Sequence, residues 1–156
     1  MLILEVPGWK GLKLEHLFLD FNGTLALDGG LLDGVRERLR RLASSTSIHV
    51  LTADTFGSVG AELGDLDLDV LTVPSSRQAE AKAERLREFG ADVSVAIGNG
   101  RNDARMFRDA ALGIAVLQTE GACAQALTAA DVVCTSIEDA LDLLLHPLRL
   151  AATMRD

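Results

Sequence analysis

Cysteine, histidine, lysine and aromatic residues are all scarce in this chain of 156 residues. Cys123 and Cys134, the only cysteines, lie in Ala/Val-rich surroundings without CxxC spacing. They read as small buried hydrophobes, which argues against a disulfide, zinc or redox pair. His16, His49 and His146 are scattered without a partner at ligand spacing, so they receive no chemistry. Aromatics make up 4% of the chain, no Lys/Arg stripe interleaves with them, and the formal net charge is −8. That balance argues against nucleic acid as a partner. No apolar run approaches the roughly 20 residues that span a bilayer, and residues 1–7 lack a basic n-region and a cleavage site. The expectation is a cytoplasmic protein with no membrane partner.

What is present is a chain 48% hydrophobic and 24% charged, long enough for one compact domain with its own core and too short for two. Residues 1–15 read as an N-terminal hairpin that turns at Pro7-Gly8-Trp9-Lys10-Gly11. A core follows over 16–145, then a tail over 146–156. Within the core, strands are expected at 16–21, 48–52, 68–73, 93–97, 113–117 and 132–134. Helices are expected at 31–43, 56–63, 77–89, 102–110, 121–129 and 137–145, with a further turn or two over 148–154. Strands rich in Val, Ile and Leu that alternate with helices imply βαβ units and a mostly parallel sheet covered on both faces. In such sheets ligands bind beyond the carboxyl ends of the strands, so function belongs in the loops that follow them.

Those loops hold the polar chemistry. Asp20-Phe21-Asn22-Gly23-Thr24-Leu25 follows the apolar run Leu17-Phe18-Leu19. A carboxylate there can attack a phosphoryl group whose oxygens are held by backbone N–H groups of the Gly-bearing loop, at Gly23 and Thr24. The second loop carries Thr52, Ala53 and Asp54, and another carries Gly98-Asn99-Gly100-Arg101-Asn102-Asp103. Lys82, one of only three lysines beside twelve arginines, lies on the helix before Gly98. Blander readings stand beside these: Thr52, Asp54 or Asp103 as helix caps, and Lys82 as part of a solvated helix face.

This set of motifs, in this order over nearly the whole chain, resembles the haloacid dehalogenase superfamily of aspartate-nucleophile phosphotransferases. It is similar in particular to small soluble members that look like the phosphorylation domain of P-type ATPases. The resemblance implies an α/β, three-layer Rossmann-like fold. It assigns Asp20 as nucleophile and, with Asn22, Thr52 and Lys82, as the catalytic set. Gly23, Thr24, Thr52, Ala53, Lys82 and Asn102 become phosphate binders, and Asp20, Asn22, Asn99 and Asp103 hold Mg²⁺. The stretches from Thr24 to Thr52 and from Thr52 to Ser76 are each under 30 residues, too short for a cap domain. An open site of that kind fits a homo-oligomer, with the Trp9 hairpin as a contact surface or packed on its own domain.

Two departures qualify the resemblance. Asn22 and Asn99 stand where the family usually has Asp, so Mg²⁺ should bind more weakly, since an amide oxygen is a neutral ligand. An amide at 22 cannot protonate a leaving oxygen or activate water, a role worth roughly 10²–10⁴-fold. The expected function is a slow Mg²⁺-dependent phosphohydrolase or phosphotransferase, acting on a phosphorylated small molecule or nucleotide through an aspartyl-phosphate on Asp20. The alternative is a catalytically weakened phosphate-binding or regulatory protein of the same fold. A dehalogenase is disfavoured, because nothing encloses an apolar substrate.

Overall fold

The computed structural model describes residues 1–53 and 57–156; the expectations for Asp54 and for a helix starting at Phe56 lie outside the described residues. In chain order the elements are β1 (Leu2–Glu5), β2 (Gly11–Leu14), β3 (His16–Asp20), β4 (Ala26–Leu27), β5 (Gly30–Leu31), α1 (Val35–Ala43), β6 (Ser47–Thr52), α2 (Ser58–Leu63), β7 (Asp69–Thr72) and α3 (Gln78–Phe89). They continue as β8 (Ser94–Gly98), α4 (Ala104–Asp109), β9 (Leu112–Val116), α5 (Ala124–Ala129), β10 (Val132–Cys134), α6 (Ile137–Leu145) and α7 (Pro147–Met154). Single 3₁₀ turns at Ala91–Val93 and Arg101–Asp103 precede β8 and α4.

Six strands form one sheet in the order β10-β9-β8-β3-β6-β7, every pairing parallel. Because successive strand residues point to opposite faces, Leu17 and Leu19 of β3 enter one core while Phe18 enters the other. The first core takes α1, α6, α7 and the β1–β2 hairpin through Leu39, Leu141, Leu150 and Leu14. The second takes α3, α4 and α5 through Leu86, Phe107 and Ala126. The result is the expected three-layer α/β architecture. No cap domain is inserted among the described residues, where only the β4–β5 ribbon and α1 lie between β3 and β6.

Three helix starts differ from expectation. The apolar spacing that puts a helix start at residue 31 instead places Leu31 opposite Ala26 in the small antiparallel ribbon. α1 waits until Val35 because Gly34 takes a left-handed conformation, φ 75°. α5 likewise begins at Ala124, after left-handed Gly121. The stretch from Asn102 starts as a 3₁₀ turn, because the Asp103 carboxylate draws in the N–H groups of Asn99 and Gly100.

The histidines also differ. His16 and His49 meet at 3.0 Å (Nδ1 to Nε2), near the end of β3 and β6 opposite Asp20, with Asp69 Oδ2 3.2 Å from His49 Nδ1. Burial, with His16 beside it, holds His49 below its ordinary pKa. Both cysteines are free, and burial pushes the Cys134 thiol up to about 11, as a small core side chain requires. Trp9, at the hairpin tip, is partly exposed with Lys10 Nζ 4.2 Å from its ring centre. No described helix is long and apolar enough to cross a membrane.

Candidate active site

The sheet order turns outward in both directions from β3, with β6 on one side and β8 on the other. A crevice opens at such a point beyond the strand ends, and Asp20 closes β3 there. The chain then turns within five residues. Phe21, buried, accepts N–H bonds on its carbonyl from Thr24, Leu25 and Ala26 at 3.2, 2.9 and 3.0 Å. Gly23 sits at φ 81°, and a Cβ there would lie 2.6 Å from Asn99 Nδ2 and 2.5 Å from Glu120 Oε2, so only glycine fits.

Lys82 joins the two strand-end loops. Its ammonium lies 2.5 Å from Asp20 Oδ1 and 2.7 Å from Asp103 Oδ1, on a side chain 1% exposed. It is therefore no solvated helix-face lysine. Asp103, fully buried, uses Oδ2 to accept the N–H groups of Asn99 (3.1 Å) and Gly100 (2.9 Å). Thr24 Oγ1 is 3.3 Å from both Asp20 Oδ2 and Asn99 Oδ1, and its one proton serves one of them at a time. Asn99 Nδ2 donates to Gly121 O at 3.1 Å, which turns its amide oxygen towards Thr24.

One cation between the buried Asp103 and the half-buried Asp20 leaves a net negative charge. Burial, and then the charge of Asp103, push the Asp20 carboxyl up to about 6 against the opposing help of Lys82 and Thr24. On Lys82 burial acts downward, but Asp103 and Asp20 together outweigh it and the ammonium is held above its ordinary range.

The other expected residues are placed less uniformly. Thr52 is buried at the end of β6 and its carbonyl accepts Val73 N–H at 2.8 Å, with Ala53 beside it half-buried. Asn22 is exposed on the loop. Asn102 is tied to Gln78 (Nδ2 to Oε1, 2.6 Å), one helical turn from Lys82, and not to Asp20. The N–H groups of Gly23 and Thr24, expected to hold phosphoryl oxygens, instead donate to Ala26 O (2.8 Å) and Phe21 O (3.2 Å). The tightness of the turn consumes them, and the Thr24 hydroxyl is what faces Asp20.

Two residues that the motifs did not single out also belong here. Gln118 Nε2 donates to Gly23 O (3.0 Å) and Thr24 O (2.8 Å) while its Oε1 accepts Ile137 N–H at 2.8 Å, clamping the loop after Asp20 to the start of α6. Glu120 brings a third carboxylate over Gly23. Both follow β9, so the rule that function sits after strands could have found them.

Among the described residues no three His, Cys, Asp or Glu side chains cluster at metal-binding spacing. The donors that do converge are hard oxygens: the carboxylates of Asp20 and Asp103 and the amide of Asn99. Mg²⁺ is commonly held by one or two carboxylates completed by water and substrate phosphate, so this donor set and its uncompensated charge fit that ion.

No protein-family model matches the chain. It is 50% identical over 62 residues to an uncharacterized protein of Methanocaldococcus jannaschii, covering 40% of this chain and 67% of that one, and belongs to the same family. Among solved structures, a putative HAD superfamily (subfamily III A) hydrolase from Legionella pneumophila superposes with a TM-score of 0.71 at 20% identity, over 90% of this chain and 88% of that one. The chain has the haloacid dehalogenase-like fold. The same fold occurs in 3-deoxy-D-manno-octulosonate 8-phosphate phosphatase from Moraxella catarrhalis, solved with magnesium, phosphate and KDO, which matches with a TM-score of 0.68 at 16% identity over 91% and 94% of the two chains. Within the haloacid dehalogenase-like fold of this chain, Asp20, Thr52 and Gly98 close three neighbouring strands of one sheet.

Proposed function

We propose that the chain is a slow phosphohydrolase that works through an aspartyl-phosphate on Asp20, with phosphorylated small molecules or nucleotides as substrates. The observation that carries this reading is the Lys82 ammonium shared between Asp20 and Asp103 at the sheet's switch point. The fold's occurrence in phosphatases, one of them solved with magnesium and phosphate, supports it.

In this reading an Asp20 oxygen bonds to phosphorus as the bond to the leaving oxygen breaks, and that oxygen departs with its electron pair. Lys82 offsets charge on the phosphoryl oxygens and on Asp20, and the hydroxyls of Thr24 and Thr52 donate to those oxygens. Water then attacks phosphorus, the bond to Asp20 breaks, and phosphate leaves. Asp20, Asn99, Asp103 and the Asn22 carbonyl would hold Mg²⁺, which supplies charge neutralisation at the phosphoryl oxygens when bound. With the neutral amide of Asn99 as a ligand where a carboxylate is usual, and no acid at 22 to add negative charge beside the ion, that affinity is weak.

Asn22 cannot protonate the leaving oxygen, so phosphoanhydrides and aryl phosphates are turned over in preference to sugar phosphates. The nucleophile must be ionised; burial and Asp103 push its carboxyl up to about 6 without metal and bound Mg²⁺ lowers it, so the rate falls on acidification at a pH that rises as Mg²⁺ is withdrawn. A substrate screen at millimolar Mg²⁺ with wild type, Asp20→Asn and Asn22→Asp tests the reading. Expected are slow aryl phosphate hydrolysis by wild type, background rate for Asp20→Asn, and a rate raised by 10²-fold or more on alkyl phosphates for Asn22→Asp. Hydrolysis that survives Asp20→Asn would sink the nucleophile assignment, and an unchanged Asn22→Asp rate would sink the acid–base argument.

The exposed amide at 22 also favours a second reading, a phosphate-responsive regulatory protein. Beryllofluoride with Mg²⁺ would then raise the melting temperature while no substrate is turned over.

A further inference from the structure

We propose that the cavity between α3, α4 and α5 receives a second anionic group of the substrate, a phosphate or carboxylate on the leaving group. The inference rests on the phosphohydrolase reading and names the substrate class for it. The cavity measures about 900 Å³, and Arg77, Arg101, Arg105 and Arg108 line it together with Gln78 and Asn102. Among the described residues that line it none is acidic, although the chain as a whole carries a net charge of −8.

Folding does not account for these cations. Arg105 is paired with Glu80, but among the described residues Arg77, Arg101 and Arg108 have neither an ion-pair nor a side-chain hydrogen-bond partner. Arg101, Arg105 and Arg108 recur at i, i+4 and i+7, a spacing that sets like charges beside one another and weakens a helical segment. Arg77 sits at φ 57°, a left-handed conformation unfavourable for a residue with a side chain, and it does so at the rim of this cavity. The mutual repulsion is relieved when an oxyanion enters. The guanidinium fork suits that ligand, since it can bind phosphate or carboxylate oxygens two at a time.

The cavity is linked to the Lys82–Asp103 pair through two of its lining residues. Gln78 and Asn102, bonded to each other at 2.6 Å, form its inner wall. Lys82 lies one turn along α3 from Gln78, and Asp103 follows Asn102. One helical turn is about 5.4 Å, a step short enough for one small molecule to carry a phosphoryl group towards Asp20 and a second anion towards the arginines.

The test compares phenyl phosphate, which has no second anion, with 4-carboxyphenyl phosphate and with ADP, for wild type, Arg101→Gln, Arg108→Gln and the double variant. The expected result is a KM at least tenfold lower for one or both doubly anionic compounds. That advantage should fall tenfold or more in the double variant, while phenyl phosphate changes by less than twofold. Preference for 4-carboxyphenyl phosphate assigns a carboxylate, and preference for ADP assigns a phosphate. Equal KM values for all three, or an equal loss on all three, would overturn the proposal. Melting temperatures of the variants should match or exceed wild type, because like charges have been removed. Calorimetric titration of Asp20→Asn with the same compounds separates the two readings. Arginine-dependent binding without wild-type turnover leaves the cavity standing and removes the phosphohydrolase. Turnover without arginine-dependent preference does the reverse, and binding of neither compound removes the cavity proposal outright.

Discussion

Asp20 is a half-buried carboxylate whose charge the fold only partly compensates, and that has a measurable consequence for stability. Its folded pKa of about 6 lies above its ordinary value of 3.8. The folded state therefore binds the proton more tightly than the unfolded chain, and the stabilisation this gives is complete below about 3.8 and lost as pH rises through 6. Replacing Asp20 with Asn removes that loss. Asp20→Asn should melt above wild type at pH 8, with the difference shrinking towards pH 4, as scanning calorimetry across that range would record. A difference that grows on acidification would contradict the charge balance drawn for Asp20, Lys82 and Asp103. At this scale the meeting of Asp20, Lys82 and Asp103 was legible, because their residue types and spacing place all three at the strand ends. Glu120 and Gln118 were not singled out, since one acid or amide in a loop has no periodicity and matters only through what the fold sets against it.

Single close approaches position whole elements. α4 lies so near β9 that a Cβ on Gly113 would come within 2.8 Å of Phe107 Cβ, 3.1 Å of its Cα and 3.2 Å of its carbonyl oxygen. Backbone cannot yield as a flexible side chain can, so Gly113→Ala should cost about 1–3 kcal/mol, read from denaturant unfolding; a neutral result would mean that α4 shifts freely. On the other face, Arg38 of α1 grips Asp142 of α6 with two bonds of 2.9 Å and reaches Glu138 at 3.1 Å. Every helix expected within the described residues formed, but α1 and α5 began late. Apolar spacing reports which residues face a core, and says nothing of where a left-handed glycine such as Gly34 or Gly121 interrupts the backbone. Leu31 kept its apolar surroundings in a ribbon, where helical spacing had suggested α1.

For the molecule as a whole, alternation of strands and helices was enough to read the layers, but not the order of the strands. Alternation is compatible with several parallel orders, and the choice is made by long-range packing on the two faces of β3 and its neighbours. That order has a further consequence. β3, β6 and β7 come from the first half of the chain and β8, β9 and β10 from the second, joined through the exposed stretch 74–77. Asp20, Thr24 and Thr52 belong to the first half, and Lys82, Asn99 and Asp103 to the second. A chain cut between Pro74 and Arg77 should thus yield two inert pieces, and aryl phosphate hydrolysis should appear only on mixing, with a lag set by their association; activity in either piece alone would refute this. Asp20 and its cation Lys82 would, in other words, behave as parts of two subunits that happen to be translated as one.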